Sequence, residues 1–121
     1  MARFTLLHYC TPDGADPYQQ WLSGLRDRQA RARVLVRTNR LAEAGQFGDC
    51  KPVGDGVWEL RIDYGPGYRV YYARAGAAVV LLLIGGDKSS QQADIATAQR
   101  HWKDWKQRSA HHDREDRPPA R

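Results

Sequence analysis

Cysteine is scarce in this chain, and long apolar runs are absent. The two cysteines, Cys10 and Cys50, are too few for a disulfide framework and lack the close spacing of metal ligands. No run of about 18 apolar residues exists, and the N-terminal segment is not a basic region followed by an apolar one. These absences predict a cytoplasmic protein without a metal or other cofactor, a membrane span or a secretory signal.

Basic residues exceed acidic ones. The 121 residues include 19 Lys and Arg against 14 Asp and Glu, which gives a net charge of +5 and favours a polyanionic partner. This length fits one domain with a single core. We predict that domain over residues 1–107. Residues 108–121 have almost no apolar content and are predicted to form a disordered polar tail.

Apolar periodicity and turn residues predict an α+β domain, in which helices pack against a small sheet. Its expected order is an N-terminal strand, a two-helix hairpin, an antiparallel three-strand meander and a C-terminal helix. The strands are expected at residues 3–10, 57–63, 68–74 and 79–84. The segment 46–56, rich in Gly, Pro and Asp, is predicted to be a loop.

Signals at the helix ends support this order. Asp16 followed by proline is typical of an N-cap, and Gly45 is placed to end the second helix. Ser89 is the predicted cap of the last helix. The strand over residues 79–84 is apolar throughout, which predicts a central strand covered on both faces.

The apolar residues of the hairpin VWELRIDYGPGYRVYY predict its register. Its apolar residues share one face only if residue 62 pairs with 68, 60 with 70 and 58 with 72. Arg61 then lies opposite Arg69, and Glu59 lies opposite Tyr71. Opposed like charges are destabilising, so this pair indicates a bound anion, and guanidinium groups suit phosphate. The alternative is that Glu59 is simply their salt-bridge partner.

Further basic and aromatic residues extend this candidate site. Lys88 follows the last strand in GGDKSS, which lacks the spacing of a P-loop, so a turn and a helix cap account for the glycines. We predict that Lys88 joins the arginine pair and that Tyr71 stacks on an unpaired base. The second helix carries three arginines on one face, which form either an RNA, ribosome or antitoxin contact or a solvated surface: Arg33, Arg37 and Arg40.

The runs WELRIDYGPGYRVYYAR and VVLLLIGGDKSSQQADIATAQRHWKDWK resemble Gp49-like, HigB-related addiction-module killer proteins of the RelE/ParE superfamily. The resemblance extends from about Tyr18 to Lys106. It implies a RelE/ParE-like fold and a toxin of a type II toxin–antitoxin system. The implied partner is a helix-turn-helix antitoxin, through which alone the toxin reaches operator DNA. The better-studied relatives cut mRNA in the ribosomal A site without a metal.

By position, Arg61, Arg69 and Lys88 match basic residues of the family, and Glu59 is a candidate general base for the attacking 2′-hydroxyl. The chain departs from the family pattern between residues 87 and 98, where it has no catalytic Tyr or His. The first hypothesis is a ribosome-dependent, metal-independent mRNA endonuclease that inhibits translation. The alternatives are a ParE-like DNA gyrase inhibitor that acts by binding and a non-catalytic regulatory module.

Overall fold

A computed structural model describes residues 3–116, with side chains as far as residue 110. It confirms the α+β class and the predicted order of strand, two helices, antiparallel meander and C-terminal helix. The elements are β1 (Thr5–His8), α1 (Pro17–Gly24), α2 (Arg28–Ala44), β2 (Cys50–Gly54), β3 (Val57–Ile62), β4 (Tyr68–Gly76), β5 (Val79–Asp87), a 3₁₀ turn (Lys88–Ser90) and α3 (Gln91–Asp116).

The sheet has five strands in the order β1-β5-β4-β3-β2. β1 pairs with β5 in parallel, and the other neighbours are antiparallel. The prediction of a continuous loop over residues 46–56 is therefore wrong, because β2 lies within it. Pro52 and Gly54 disguise this strand in the sequence. They are tolerated because β2 is an edge strand, where a missing backbone donor can face away from the sheet.

The predicted register of the β3–β4 hairpin is confirmed. Ile62 pairs with Tyr68, Arg61 with Arg69, and Glu59 with Tyr71. The alternation fixes this register because a slip of one residue would exchange the two faces of each strand.

Helices cover both faces of the sheet. α1 and α2 pack against the face that carries Leu60 and Val70, while α3 packs against the face that carries Tyr71 and Ala73. β5 lies between β1 and β4, and residues 80–83 within it are buried. The prediction of a central strand covered on both sides is confirmed.

The sequence correctly predicts the start of α1 and the end of α2, whereas both ends of α3 differ from the prediction. The side chain of Asp16 accepts a hydrogen bond from the Gln19 amide at 3.0 Å, and Gly45 ends α2 in the left-handed conformation (φ 63°). Asp87, not Ser89, is the cap before α3.

α3 continues to Asp116, so the tail predicted from residue 108 begins as helix. Extension of an existing helix requires no new nucleus, which explains how this polar segment can be helical. Residues 117–121 of the predicted tail lie outside the described residues. Within residues 3–116, no helix combines the length and apolar character needed to cross a membrane.

Candidate functional site

The predicted arginines line two neighbouring pockets at the end of the β3–β4 hairpin. The first, which we call the hairpin pocket, has a volume of about 290 Å³ and contains Arg61 and Arg69 in its lining. The second, the helix pocket, has a volume of about 470 Å³ and lies against α2. Its lining includes Arg33, Arg37 and Arg40. Ile62 and Asp63 line both pockets, so the five arginines border one connected surface.

The side chains of Arg69 and Lys88 both approach Gly67 in the β3–β4 turn. A β-carbon added at Gly67 would lie 3.2 Å from Nη1 of Arg69 and 3.7 Å from Cβ of Lys88. The Arg69 Nη1 group also donates a hydrogen bond to the Gly67 carbonyl at 2.7 Å. The β3–β4 turn therefore brings the start of the exposed Lys88 side chain close to the buried end of Arg69.

The two hairpin arginines each have a carboxylate neighbour. Nη2 of Arg61 lies 2.8 Å from Oδ1 of Asp49, and this contact raises the pKa of Arg61. The two side chains are 41% and 54% exposed, so water screens their attraction and a phosphate can compete for the guanidinium. Nε of Arg69 lies 3.6 Å from Oε2 of Glu59. Among the side chains described, Lys88 forms no ion pair.

Glu59 is fully buried, which contradicts its prediction as the general base. Its side chain is 0% exposed, and Oε2 accepts hydrogen bonds from the Tyr71 hydroxyl and from Nε2 of Gln91, both at 2.9 Å. The sequence places Glu59 on the non-apolar face of the hairpin, but α3 covers that part of the face. A general base must reach the proton that it removes, and a substrate cannot touch this carboxylate.

Tyr71 is buried in the same way, so the prediction that it stacks on an RNA base is wrong. The residue is 0% exposed and packs beneath α3 with Leu83 and Ala98. Burial, followed by the hydrogen bond to Glu59, raises the pKa of Tyr71. The hydroxyl is therefore a neutral donor to Glu59, and its ring belongs to the core.

The three arginines of α2 differ in their contacts. Arg37 is half-buried and donates to the backbone carbonyls of Arg61 at 2.5 Å and Phe47 at 3.1 Å, so it fastens α2 to the end of β3. The Arg33 guanidinium lies 4.4 Å from the centre of the Tyr64 ring, and Arg40 is exposed. Arg33 and Arg40 are therefore the members of this group available to an external ligand.

The glycines of GGDKSS are required by packing. A β-carbon at Gly85 would overlap the Trp21 ring of α1, and one at Gly86 would overlap the Asp94 carboxylate of α3. Asp87 caps the following turn by accepting from the Ser89 amide at 2.8 Å. The hydrogen bonds from Ser89 lower the pKa of Asp87. A turn and a helix cap thus explain this segment.

Lys51 is a basic residue that the sequence did not single out. It pairs opposite Glu59 across β2 and β3, its side chain is 47% exposed, and its Nζ lies 4.0 Å from Oε1 of Glu59. The assignment of residues 46–56 to a loop hid this relation. Recognition of β2 as a strand would have placed Lys51 on the face of Glu59, because paired residues project to the same side.

Other reactive side chains lie elsewhere. His101 of α3 is half-buried. Its ring stacks on Tyr9, with ring centres 4.4 Å apart, and Nδ1 lies 3.0 Å from the Leu83 carbonyl oxygen. Burial lowers the pKa of His101. Within the part of the chain that the structure describes, no three His, Cys, Asp or Glu residues are grouped to hold a metal ion.

Comparison with known proteins identifies the family of this chain. The family described as phage-derived protein Gp49-like matches residues 20–103. An uncharacterized protein of Haemophilus influenzae is 49% identical over 81 residues, which cover 67% of this chain and 81% of that protein. These findings support a toxin-like protein in general. The chain belongs to the family of phage-derived Gp49-like proteins.

Proposed function

We propose that the chain is a toxin of a type II toxin–antitoxin pair, that it acts on ribosome-bound mRNA as a metal-independent endonuclease, and that the hairpin pocket binds the phosphate at the cleavage position. The proposal rests on the opposed arginines: Arg61 and Arg69 line one pocket, and Lys88 begins beside it. Each arginine has a carboxylate neighbour, but the Arg61–Asp49 contact is exposed, so a phosphate between the two guanidinium groups would compete with Asp49 and reduce their mutual repulsion.

The proposed chemistry needs positioned positive charge above all. In the proposed step, the 2′-hydroxyl loses its proton and attacks the adjacent phosphate, which forms a 2′,3′-cyclic phosphate, breaks the P–O5′ bond and releases the 5′-oxygen as a protonated hydroxyl. Negative charge builds up on the phosphate oxygens during this step, and fixed cations stabilise the transition state. The Arg69 side chain is only 12% exposed, so its field is screened less than that of a surface arginine. Arg61 and Lys88 would complete the contacts from the solvent side.

The RNA backbone would continue from the hairpin pocket into the helix pocket, where Arg33 and Arg40 supply exposed guanidinium groups. Two half-buried tyrosines replace Tyr71 as candidates for base stacking. Tyr68 lines the hairpin pocket, and Tyr64 stacks on it with ring centres 6.5 Å apart and lies under Arg33. Aromatic faces bind unpaired bases with little sequence preference. A helix-turn-helix antitoxin is the proposed partner that silences the toxin.

The burial of Glu59 favours a second candidate, a DNA gyrase inhibitor that acts by binding. Such an inhibitor needs no general base, whereas the nuclease needs a proton acceptor that Glu59 does not provide in this conformation. We place the nuclease first because a binding inhibitor gives no reason to hold Arg61, Arg69 and Lys88 together.

Cleavage of mRNA on purified translating ribosomes tests the proposal. The R69A/K88A variant should cleave about 100-fold more slowly than wild type, since each cation contributes mainly in the transition state. K88A alone should already slow cleavage. Because Lys88 is exposed, this variant should remain folded and gives a result that misfolding of the double variant cannot explain. The matched control R100A/K103A removes two exposed charges of α3 and should cleave like wild type.

Other results would identify another function. A wild-type protein that leaves mRNA intact but blocks DNA supercoiling, with R69A/K88A equally potent, would establish the gyrase inhibitor. If the wild-type protein does not slow bacterial growth when it is expressed without a partner, the result would favour the non-catalytic regulatory module.

A further inference from the structure

The Glu59 carboxylate lies between two cations from different strands. Nε of Arg69, on β4, is 3.6 Å from Oε2, and Nζ of Lys51, on β2, is 4.0 Å from Oε1. Both contacts are ion pairs slightly too long for hydrogen bonds. Among the described residues, Oε1 of Glu59 accepts no hydrogen bond and Nε of Arg69 donates none, although both atoms are buried.

Neutral donors fix this carboxylate in place. The Tyr71 hydroxyl and the Gln91 amide hold Oε2 from β4 and from α3, so the sheet and the helix both define its position. A buried carboxylate is costly unless it has such donors and a nearby positive charge. The carboxylate in turn attracts the Nε edge of Arg69, while Nη1 of Arg69 is held by the Gly67 carbonyl. The arginine is thereby restrained at both ends of its guanidinium group.

Lys51 is held much more loosely. Its side chain is about half exposed, and within residues 3–116 β2 is an edge strand, with β3 on one side and no strand on the other. Lys51 pairs with Glu59, and Glu59 pairs with Tyr71, which lies two residues from Arg69 on β4. Two strand spacings of about 4.8 Å and a rise of about 3.3 Å per residue therefore separate the backbones of Lys51 and Arg69 by about 12 Å on one face of the sheet. A backbone bound at Arg69 would pass within reach of the flexible Lys51 ammonium group.

We infer that Lys51 is a fourth contact for the RNA backbone, and that Glu59 is a positioning residue that holds Arg69 and Lys51 on either side of it. The inference rests on the proposed function and extends its site from one phosphate to a longer segment of single-stranded RNA. Glu59 acts through the two cations and does not touch the substrate. The competing explanation is that Lys51 only neutralises Glu59.

Equilibrium binding of a single-stranded oligoribonucleotide at several salt concentrations separates these explanations. Loss of one phosphate contact should reduce the slope of log affinity against log salt by about 0.7 and weaken binding about fivefold. We expect both changes for K51A and neither for K103A, which removes an exposed lysine of α3. If K51A binds like wild type over the whole salt range, the inference is wrong.

Failure of the proposed function would look different. If wild-type protein itself does not bind the oligoribonucleotide, the inference falls, and cleavage of ribosome-bound mRNA still tests the proposed function separately. If wild type binds the oligoribonucleotide and K51A binds it equally well, the proposed function survives and Lys51 is a structural counter-ion.

The role of Glu59 is tested by E59Q in ribosome-dependent cleavage. A positioning role predicts slower cleavage with an unchanged shape of the pH–rate profile, and RNA affinity no weaker than that of wild type, because the variant removes a negative charge from a basic surface. If Glu59 were the general base, E59Q would instead lose the part of the pH–rate profile in which the cleavage rate rises as the carboxyl group ionises. That loss would overturn the positioning role. Circular dichroism of each variant establishes that it is folded.

Discussion

The substitution Y71F removes one hydroxyl group and nothing else from the core. That hydroxyl donates to the Glu59 carboxylate at 2.9 Å, and both residues are 0% exposed. Water cannot replace the lost donor, and hydrogen bonds to charged groups contribute about 1.5–3 kcal/mol. Gln91 still donates to the same oxygen, so the carboxylate keeps one partner. We therefore expect the free energy of unfolding to fall by about 1.5–3 kcal/mol, or roughly 5–15 °C in Tm for a domain of this size.

Urea denaturation followed by circular dichroism measures this loss, and Y64F is its matched control. The Tyr64 hydroxyl donates to Asp27 at 2.9 Å at an exposed position, where water replaces it, so Y64F should change stability far less. The folded Y71F protein should also bind RNA like wild type, because its ring is inaccessible. Equal losses in the two variants would refute the reasoning. Weakened RNA binding by Y71F with unchanged stability would restore Tyr71 as a contact residue.

Two further predictions concern packing and pH. G85A should lower the free energy of unfolding, measured by urea denaturation, by about 1–3 kcal/mol, because the new methyl group overlaps the Trp21 ring. G24A is the control: a β-carbon at Gly24 meets nothing within 4 Å, so this variant should not be destabilised. The pKa of His101 is lowered below 6.5 in the folded state, so the folded protein binds fewer protons than the unfolded chain. The contribution of neutral His101 to the free energy of unfolding is therefore fully present above pH 6.5 and is lost as the pH falls through the folded pKa. Urea denaturation of H101Q should show a free energy of unfolding that depends less on pH in this range.

The β3–β4 hairpin was predictable because its information is local. Alternation of apolar residues over two strands with a short turn between them leaves one register, and that register sets Arg61 opposite Arg69. β2 was not predictable in the same way. Its five residues include a proline and a glycine, and it owes its existence to the free edge of β3 rather than to its own pattern.

The errors at the candidate site share one tertiary cause. Period-two alternation tells which face of the sheet Glu59 and Tyr71 occupy but not whether a distant helix covers that face. α3 begins more than 20 positions after Tyr68, and its Gln91 side chain closes the space above Glu59. The proximity of Lys88 to Arg69 could be expected, because Lys88 directly follows β5, whose end pairs with the start of β4.

The parallel pairing of β1 with β5 has a consequence for biosynthesis. Thr5 pairs with Val79, so β1 can meet its partner only after the intervening residues have been synthesised. Closing so long a loop costs more entropy than forming the neighbouring hairpins of β3, β4 and β5. We expect the hairpins to assemble first and β1 to join last. Arg61 and Arg69 would thus take their places opposite each other before the sheet gains its parallel strand.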